Sequence, residues 1–300
     1  MDYDFITTCN WTSTGTFTMS AYLGGSSNVV TSHSLFYRKS GEPTWTETTN
    51  GEVVITSTGE WEIANDWNKS GDDVLTHSYS GITAIDSCTD VYFNETTLGD
   101  TVGNNFLRDG WRNCSNLVSM PSGFNMPQSL TTVGPSFAIQ CWRGCTSLTS
   151  MPEGFNIPQG LTTINTGSFM VSCWQDCTSL TSMPDGFNLP PGLTAVGNQL
   201  FQDTFRGCTS LVSMPSGFNI PSGITDAGSN FFLGTWFDCT LLDNDEYSEP
   251  ITFEFNASNV FGGTCPITPD SVTATKADPV NVEVNRTLPP QNTGNFLAFM

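Results

Sequence analysis

The residues of this chain with the widest chemical repertoire are ten cysteines and two histidines, set among 29 acids and nine bases. His77 follows Asp72-Asp73, a grouping that invites a test for a hydrolytic constellation. Such a site needs nucleophile, base and orienting acid to converge in space, and adjacency in sequence does not show this. A histidine in an alternating run is expected as a satisfied strand residue. Paired acids are the other catalytic option. Glu153 and Asp185 hold one equivalent position, but Ser122 and Ser216 replace them in sister segments, so no dedicated acid pair is marked. Asp72-Asp73 and Asp243-Asn-Asp-Glu246 offer oxygen ligands for calcium. Neither follows an EF-hand pattern; they read as acidic turns, with a bound calcium left open. Zinc requires convergent cysteine and histidine, and His33 and His77 both lie outside the cysteine-rich region. No catalytic residue, metal site or cofactor is assigned.

The cysteines answer to a different logic. Cys114, Cys145, Cys177, Cys208 and Cys239 are spaced 31, 32, 31 and 31 residues apart. Leu117, Leu148, Leu180 and Leu211 stand three residues after the first four, and Leu242 after the fifth. Trp111, Trp142, Trp174, Phe205 and Trp236 stand three before. Met-Pro comes next in four copies, then Gly-Phe-Asn at Phe124, Phe155, Phe187 and Phe218, then a second proline and an apolar pair such as Leu161 and Ile164. One such unit cannot bury these side chains alone; stacking places each on its equivalent in the next and makes a continuous core. Each Phe, Leu or Met rung then contributes about 1.5–3 kcal/mol. The anchor cysteines read as a ladder of small buried residues rather than a disulfide framework. Cys141 and Cys173 are additional and one copy apart, so a bridge between them stays open. The prolines and glycines mark corners. Between them, short strands are expected at Ser147–Met151 and Leu161–Ile164, with a short helical or irregular turn near Trp142–Cys145.

The motif Gly144-Cys-Thr-Ser-Leu-Thr149, with its aromatic before and its proline after, resembles the BspA-like, treponemal-type leucine-rich repeat; Gly207-Cys-Thr-Ser-Leu211 matches it as well, and Asp176-Cys-Thr-Ser-Leu-Thr181 differs only at the glycine. The copies here are longer by an inserted Gly-Phe-Asn-x-Pro segment. The resemblance implies a right-handed curved solenoid used for adhesion or display in bacterial surface or phage proteins, and implies no enzymatic activity.

The formal net charge of −20 argues against nucleic acid and against docking on anionic lipid. The charge is uneven: residues 106–240 hold seven acids and four bases, and the rest is acidic. Met1-Asp-Tyr-Asp-Phe5 lacks the basic start and apolar run of a secretory leader, and no stretch is apolar enough to insert in a membrane. These features lead to the expectation of a virion-surface protein, assembled in a cytosol.

The elements around the repeats are expected to be β as well. Short alternating runs at Phe5–Thr8, Thr16–Met19, Ser34–Tyr37, Val53–Thr56, Trp61–Ile63 and Val74–His77 suggest a small sandwich over 1–98. Asp73-Val-Leu-Thr-His-Ser-Tyr79 resembles a polycystic-kidney-type immunoglobulin-like strand, which implies an immunoglobulin-like module. Asn50-Gly51 before Val53 predicts a hairpin. Residues 91–97 suggest a degenerate first copy. The expected architecture is mainly β: this module, a leucine-rich-repeat solenoid of about five coils over 99–242, and a C-terminal β cap or attachment segment over 243–300. Ile251–Phe255 and Val280–Val284 read as strands of the last segment. Phe296, Leu297, Phe299 and Met300 are candidate anchoring residues, on the chain itself or on a neighbouring subunit of a homo-oligomer. The positions Thr149, Ser150, Thr181, Ser182 and Ser213 are expected to face outward as hydroxyl ladders, a candidate recognition face. The functional expectation is a non-enzymatic capsid decoration or fibre protein whose partners are other virion proteins. The alternative is a bacterial cell-surface adhesin for matrix proteins or glycans.

Overall fold

The computed structural model describes residues 3–22, 29–30, 34–65, 76–164, 167–212, 221, 226–227, 234–241, 251–253, 272–278 and 281–285. Among them the chain is mainly β and turn, with one four-residue helix. Ten strands precede residue 94: β1 (Phe5–Trp11), β2 (Gly15–Thr18), β3 (Ser20–Tyr22), β4 (Val29–Val30), β5 (Leu35–Lys39), β6 (Thr46–Thr48), β7 (Glu52–Ile55), β8 (Gly59–Asn65), β9 (His77–Ser78) and β10 (Ile85–Phe93). Five form an antiparallel sheet in the order β10-β1-β8-β5-β6; β2 pairs with β7, and β3 joins β4 and β9. The alternation predicts which faces are buried: Phe5, Leu35, Val53, Ile55, Trp61 and Ile63 all lie in the core.

Asn50-Gly51 does not close a hairpin. Its flanking strands belong to different sheets, β6 on β5 and β7 on β2. The Asn50 side chain accepts from the Glu52 amide and from the Thr48 hydroxyl, making an Asx turn that sends the chain across to the second sheet. The alternating burial of Val53 and Ile55 then favours pairing on Phe17 over return to β6.

The helix α1 (Glu95–Leu98) leads into very short parallel strands: β11 (Thr101–Val102) pairs with β12 (Thr132–Val133), and β13 (Thr163–Ile164) with β14 (Ala195–Val196) and β15 (Asp226–Ala227). The expected strand at Ser147–Met151 reduces to one bridge, Ser150 to Ser182. Its reason is local: the Leu148 amide bonds back to Cys145 instead of crossing to a neighbour. The corners fall where prolines predict them. Pro121, Pro152 and Pro184 each accept the turn-closing bond from the phenylalanine three residues on. Gly154 and Gly186 occupy the third position of these turns at φ 80° and 85°, the left-handed conformation that a type II turn requires.

The segment before each anchor cysteine is neither helix nor strand. Amides of alternate residues cross to the next copy: Asn105 to Pro135, Leu107 to Phe137, Asp109 to Ile139, Trp111 to Cys141 and Asn113 to Arg143, at 2.6–3.0 Å. The intervening amides bond three residues back. Every fourth residue is left-handed: Asn105, Asp109 and Asn113, then Ser136, Gln140 and Gly144, then Ser168, Ser172 and Asp176, then Gln199, Asp203 and Gly207. Asparagine, aspartate and glycine tolerate that region best. The Gly/Asp variation before the cysteine is therefore one conformation, φ 57–73°, reached by Asn113, Gly144, Asp176, Gly207 and Asp238.

The same bonds begin earlier than the recurring motif does. Tyr79 donates to Gly110 and Gly81 to Arg112, as Trp111 does to Cys141 and Asn113 to Arg143. Tyr79 stacks on Trp111 at 6.3 Å and 10°. Ile82, Ile85, Cys88, Leu98 and Val102 are buried where later copies hold Cys, Leu, Met, Leu and Val. The expected junction at 98/99 thus falls inside a copy that starts at Thr76 rather than at 91. Strand β10 belongs to both bodies: it pairs antiparallel with β1 on one side, and Ser87 bridges parallel to Ser119 on the other. One apolar core runs from Phe5 to Cys239.

Towards the C-terminus, β16 (Ile251–Phe253), β17 (Val272–Asp278) and β18 (Asn281–Asn285) form an antiparallel sheet. The candidate anchoring residues Phe296, Leu297, Phe299 and Met300 lie outside the described residues.

Candidate recognition face

The side chains that the repeat pattern singles out form continuous columns. Trp111, Trp142, Trp174 and Phe205 stack at 5.3–5.6 Å and within 6° of parallel. Phe124, Phe155 and Phe187 form a second column, meeting the tryptophans edge to face at 5.8–6.1 Å. This offset geometry is the one aromatic quadrupoles prefer. Leu117, Leu148, Leu180 and Leu211 are fully buried beside them. Trp236 is half-buried, and Phe218 lies outside the described residues.

The cysteine ladder does more than fill space. Cys145, Cys177, Cys208 and Cys239 each donate the thiol to the carbonyl of the aromatic residue one copy back, Trp111, Trp142, Trp174 and Phe205, at 2.9–3.0 Å. Cys114 does the same to Tyr79. Cys141 and Cys173 belong to a separate column that continues as Thr204 and Thr235, whose hydroxyls donate to Met170 and Phe201. Both stay free thiols, buried completely. Burial pushes Cys141, Cys145, Cys173, Cys177 and Cys208 well above the ordinary thiol range, and Cys114 likewise. They are neutral and inert as nucleophiles. Among the described residues the disulfide is elsewhere, between Cys9 of β1 and Cys88 of β10.

The inserted Gly-Phe-Asn segment carries an amide ladder that the sequence pattern did not reveal as such. Asn156 accepts from the amides of Ile157 and Asn188 and donates to the Gly186 carbonyl. Asn125 repeats this one copy earlier, on Met126, Asn156 and Gly154. Recurrence of asparagine at one offset is the signal that could have announced it.

His77 is held in a buried hydrogen-bond network. It is buried, with Nε2 on the Thr7 hydroxyl at 2.7 Å and Nδ1 on Asn65 Oδ1 at 2.7 Å. Tyr79 bonds Thr7 in turn, so the network joins strands β1 and β8 to the first repeat copy. Asp72, Asp73 and Asp243–Glu246 lie outside the described residues. Glu153 and Asp185 are exposed on adjacent copies. Among the described residues no three acids, histidines or cysteines gather as metal ligands. No helix among them is long and apolar enough to cross a membrane.

What the repeats leave outward is an uncharged strip. Thr149, Ser150 and Thr181 are exposed and Ser182 is half-exposed; Ser213 lies outside the described residues. The strip widens to Thr146, Thr178 and Thr209, all exposed, and to Val118 and Val212 in the column of Thr149. Segments 115–119, 146–150, 178–182 and 209–212 contain no ionisable side chain, in a chain of net charge −20. The four arginines of the repeats sit on the other segment: Arg112 and Arg206 reach Asp109 and Asp203, and Arg108 lies beside Asp109.

No family model matches the chain, and no curated protein sequence matches it. A solved leucine-rich repeat protein from Bacteroides ovatus is similar to it at 21% identity over 55% of this chain and 55% of that one, with a TM-score of 0.16. The chain thus spans about half the length of that protein.

Proposed function

We propose that this chain is a non-enzymatic display protein, of the capsid decoration or fibre kind, whose stacked copies form a BspA-like leucine-rich-repeat solenoid presenting an extended recognition surface. The observation that carries this reading is the division of labour within each copy. Every aromatic rung and anchor thiol of the described copies up to Phe205 and Cys239 is buried, while hydroxyls recur outward in fixed register. Extended repeat surfaces recognise partners along their length, and a convergent pocket is what an enzyme would need instead. In this reading residues 76–242 are the solenoid, the N-terminal sheets cap its first copy, and 243–300 close or anchor its far end.

A second reading, a bacterial cell-surface adhesin, draws support from the Cys9–Cys88 disulfide. Such bonds persist in oxidising compartments. Mass spectrometry of purified native particles and of cell envelopes separates the two. Fixed stoichiometry on a capsid or tail supports the virion component; recovery on the envelope supports the adhesin. A soluble chain turning over a glycan or peptide substrate would overturn both.

A further inference from the structure

The uncharged strip has a chemistry narrow enough to name its ligand, once the strip is taken as the recognition surface proposed above. On that footing, we infer that the face formed by residues 115–119, 146–150, 178–182 and 209–212 binds an extended, uncharged polysaccharide laid along the stacking direction, one sugar to each copy.

Charge comes first. The strip holds no ionisable group while the chain carries −20, so a polyanion is repelled at long range and a polycation finds no partner on the face itself. Hydrogen bonding comes second. Thr146, Thr178, Thr209 and Thr240 each donate the hydroxyl to the carbonyl one copy back, at 3.3–3.4 Å, and Thr181 does so to Thr149 at 3.2 Å. Their protons are thereby used internally, which leaves fixed oxygens as acceptors with methyl groups beside them. The hydroxyls of Ser150 and Ser182 make no hydrogen bond among the described residues and are free to donate or accept. The two central copies, 146–150 and 178–182, therefore each offer an acceptor, a free hydroxyl and a methyl, the complement of a sugar ring with its alternating hydroxyl and C–H edges. Spacing comes third. On the strip the Thr149 amide bonds Val118, Thr181 bonds Thr149 and Val212 bonds Thr181, so adjacent copies repeat at the roughly 4.8 Å of paired strands, close to the length that one ring occupies in an extended β-linked hexose chain. A ligand with that repeat engages the two central copies alike and meets Val118 and Val212 on the flanking ones, and its contacts gain from being linked.

A folded protein partner fits the strip poorly. Protein interfaces concentrate their energy in exposed aromatic and arginine anchors. The strip has neither; its exposed apolar residues are Val118 and Val212.

The test uses the full chain against cello-oligosaccharides from disaccharide to hexasaccharide by calorimetry, with microcrystalline cellulose for pull-down and heparin as the polyanion. Wild type should bind with affinity that rises with oligosaccharide length and does not fall from low to high salt. T149E/T181E should weaken it by about tenfold or more while leaving the melting temperature near that of wild type. R143E, on the other segment, should leave binding unchanged. Three results overturn the inference: no binding to the neutral glycans, binding that R143E weakens as much as T149E/T181E does, or preference for heparin that high salt abolishes. Self-association of wild type that T149E/T181E abolishes, without glycan binding, assigns the face to a second copy and also overturns it. Adhesion of chain-coated beads to cells separates this failure from that of the recognition reading. If T149E/T181E abolishes adhesion without any glycan binding, the face recognises something else and only the ligand is wrong. If it alters neither, the strip is not a recognition surface at all.

Discussion

At the scale of single residues, the left-handed positions carry the sharpest consequences. A methyl group on Gly144 would stand 2.4 Å from Asn113 Oδ1, and Gly144 sits at φ 73°. Gly144→Ala should therefore destabilise the fold by about 1–3 kcal/mol, read from the urea midpoint, and N113G in the same chain should restore part of the loss. The extra cysteines predict the opposite sensitivity. Cys173 shares its column with Thr204, whose hydroxyl donates to Met170, so Cys173→Thr should cost less than about 1.5 kcal/mol. The seven buried free thiols should resist alkylation in the native chain and react once it is unfolded. The cysteine ladder was legible as a repeat anchor from its spacing. Its role as a thiol donor was not, because the accepting carbonyl belongs to another copy, 34 or 35 residues away. The left-handed sites were written as Asn, Asp, Ser, Gln or Gly at every fourth position, but no rule of helix or strand periodicity looks for that interval.

At the scale of the element, each copy is built from corners and columns more than from strands. The columns predict a graded response. The Trp142 indole N–H has no hydrogen-bond partner among the described residues, and Phe205 holds the same column two copies on. Trp142→Phe should be mild, whereas Trp142→Ala should cost about 3–5 kcal/mol by calorimetric unfolding. The amide ladder predicts a local effect instead. Asn156→Ala leaves the Ile157 and Asn188 amides without their acceptor. Those two amides should lose exchange protection, and stability should fall by about 1–3 kcal/mol. Sequence placed the corners well, since proline and glycine fix turns by their own geometry. It overestimated strand length, because the outward Leu-Thr-Ser-Met run looks extended until the leucine amide is seen bonding back to the cysteine, with the threonine amide crossing to the copy before. It also read Asn50-Gly51 as a hairpin, since pairing partners are decided by burial of Val53 and Ile55 and not by the turn alone.

At the scale of the whole molecule, the N-terminal sheets and the repeats share a copy and a core, and the thiols make their stability depend on pH as one body. A thiol whose pKa is raised in the folded state keeps its proton while the unfolded chain releases it above pH of about 8.5. Stability is thus complete below that pH and falls as pH rises, with up to six protons linked to unfolding. Melting temperature should drop steeply on the alkaline side, and C141T/C173T should reduce the slope by about two protons. Residues 76–98 hid this continuity from the sequence, since Tyr79, Ile82, Ile85 and Cys88 keep the spacing of a copy while replacing its Trp, Cys, Leu and Met, so that Gly81 and Thr83 are what remains of the Gly-Cys-Thr-Ser-Leu motif. The proposed display surface requires that they stack as the later copies do. Native-state hydrogen exchange on the full chain measures this directly. The Tyr79 and Gly81 amides, which donate to Gly110 and Arg112, should exchange with the same free energy as the Trp111, Asn113, Trp142 and Gly144 amides. Rapid exchange at Tyr79 and Gly81 while the later copies stay protected would contradict the account, leaving the repeats a separate body joined to the sheets by a linker.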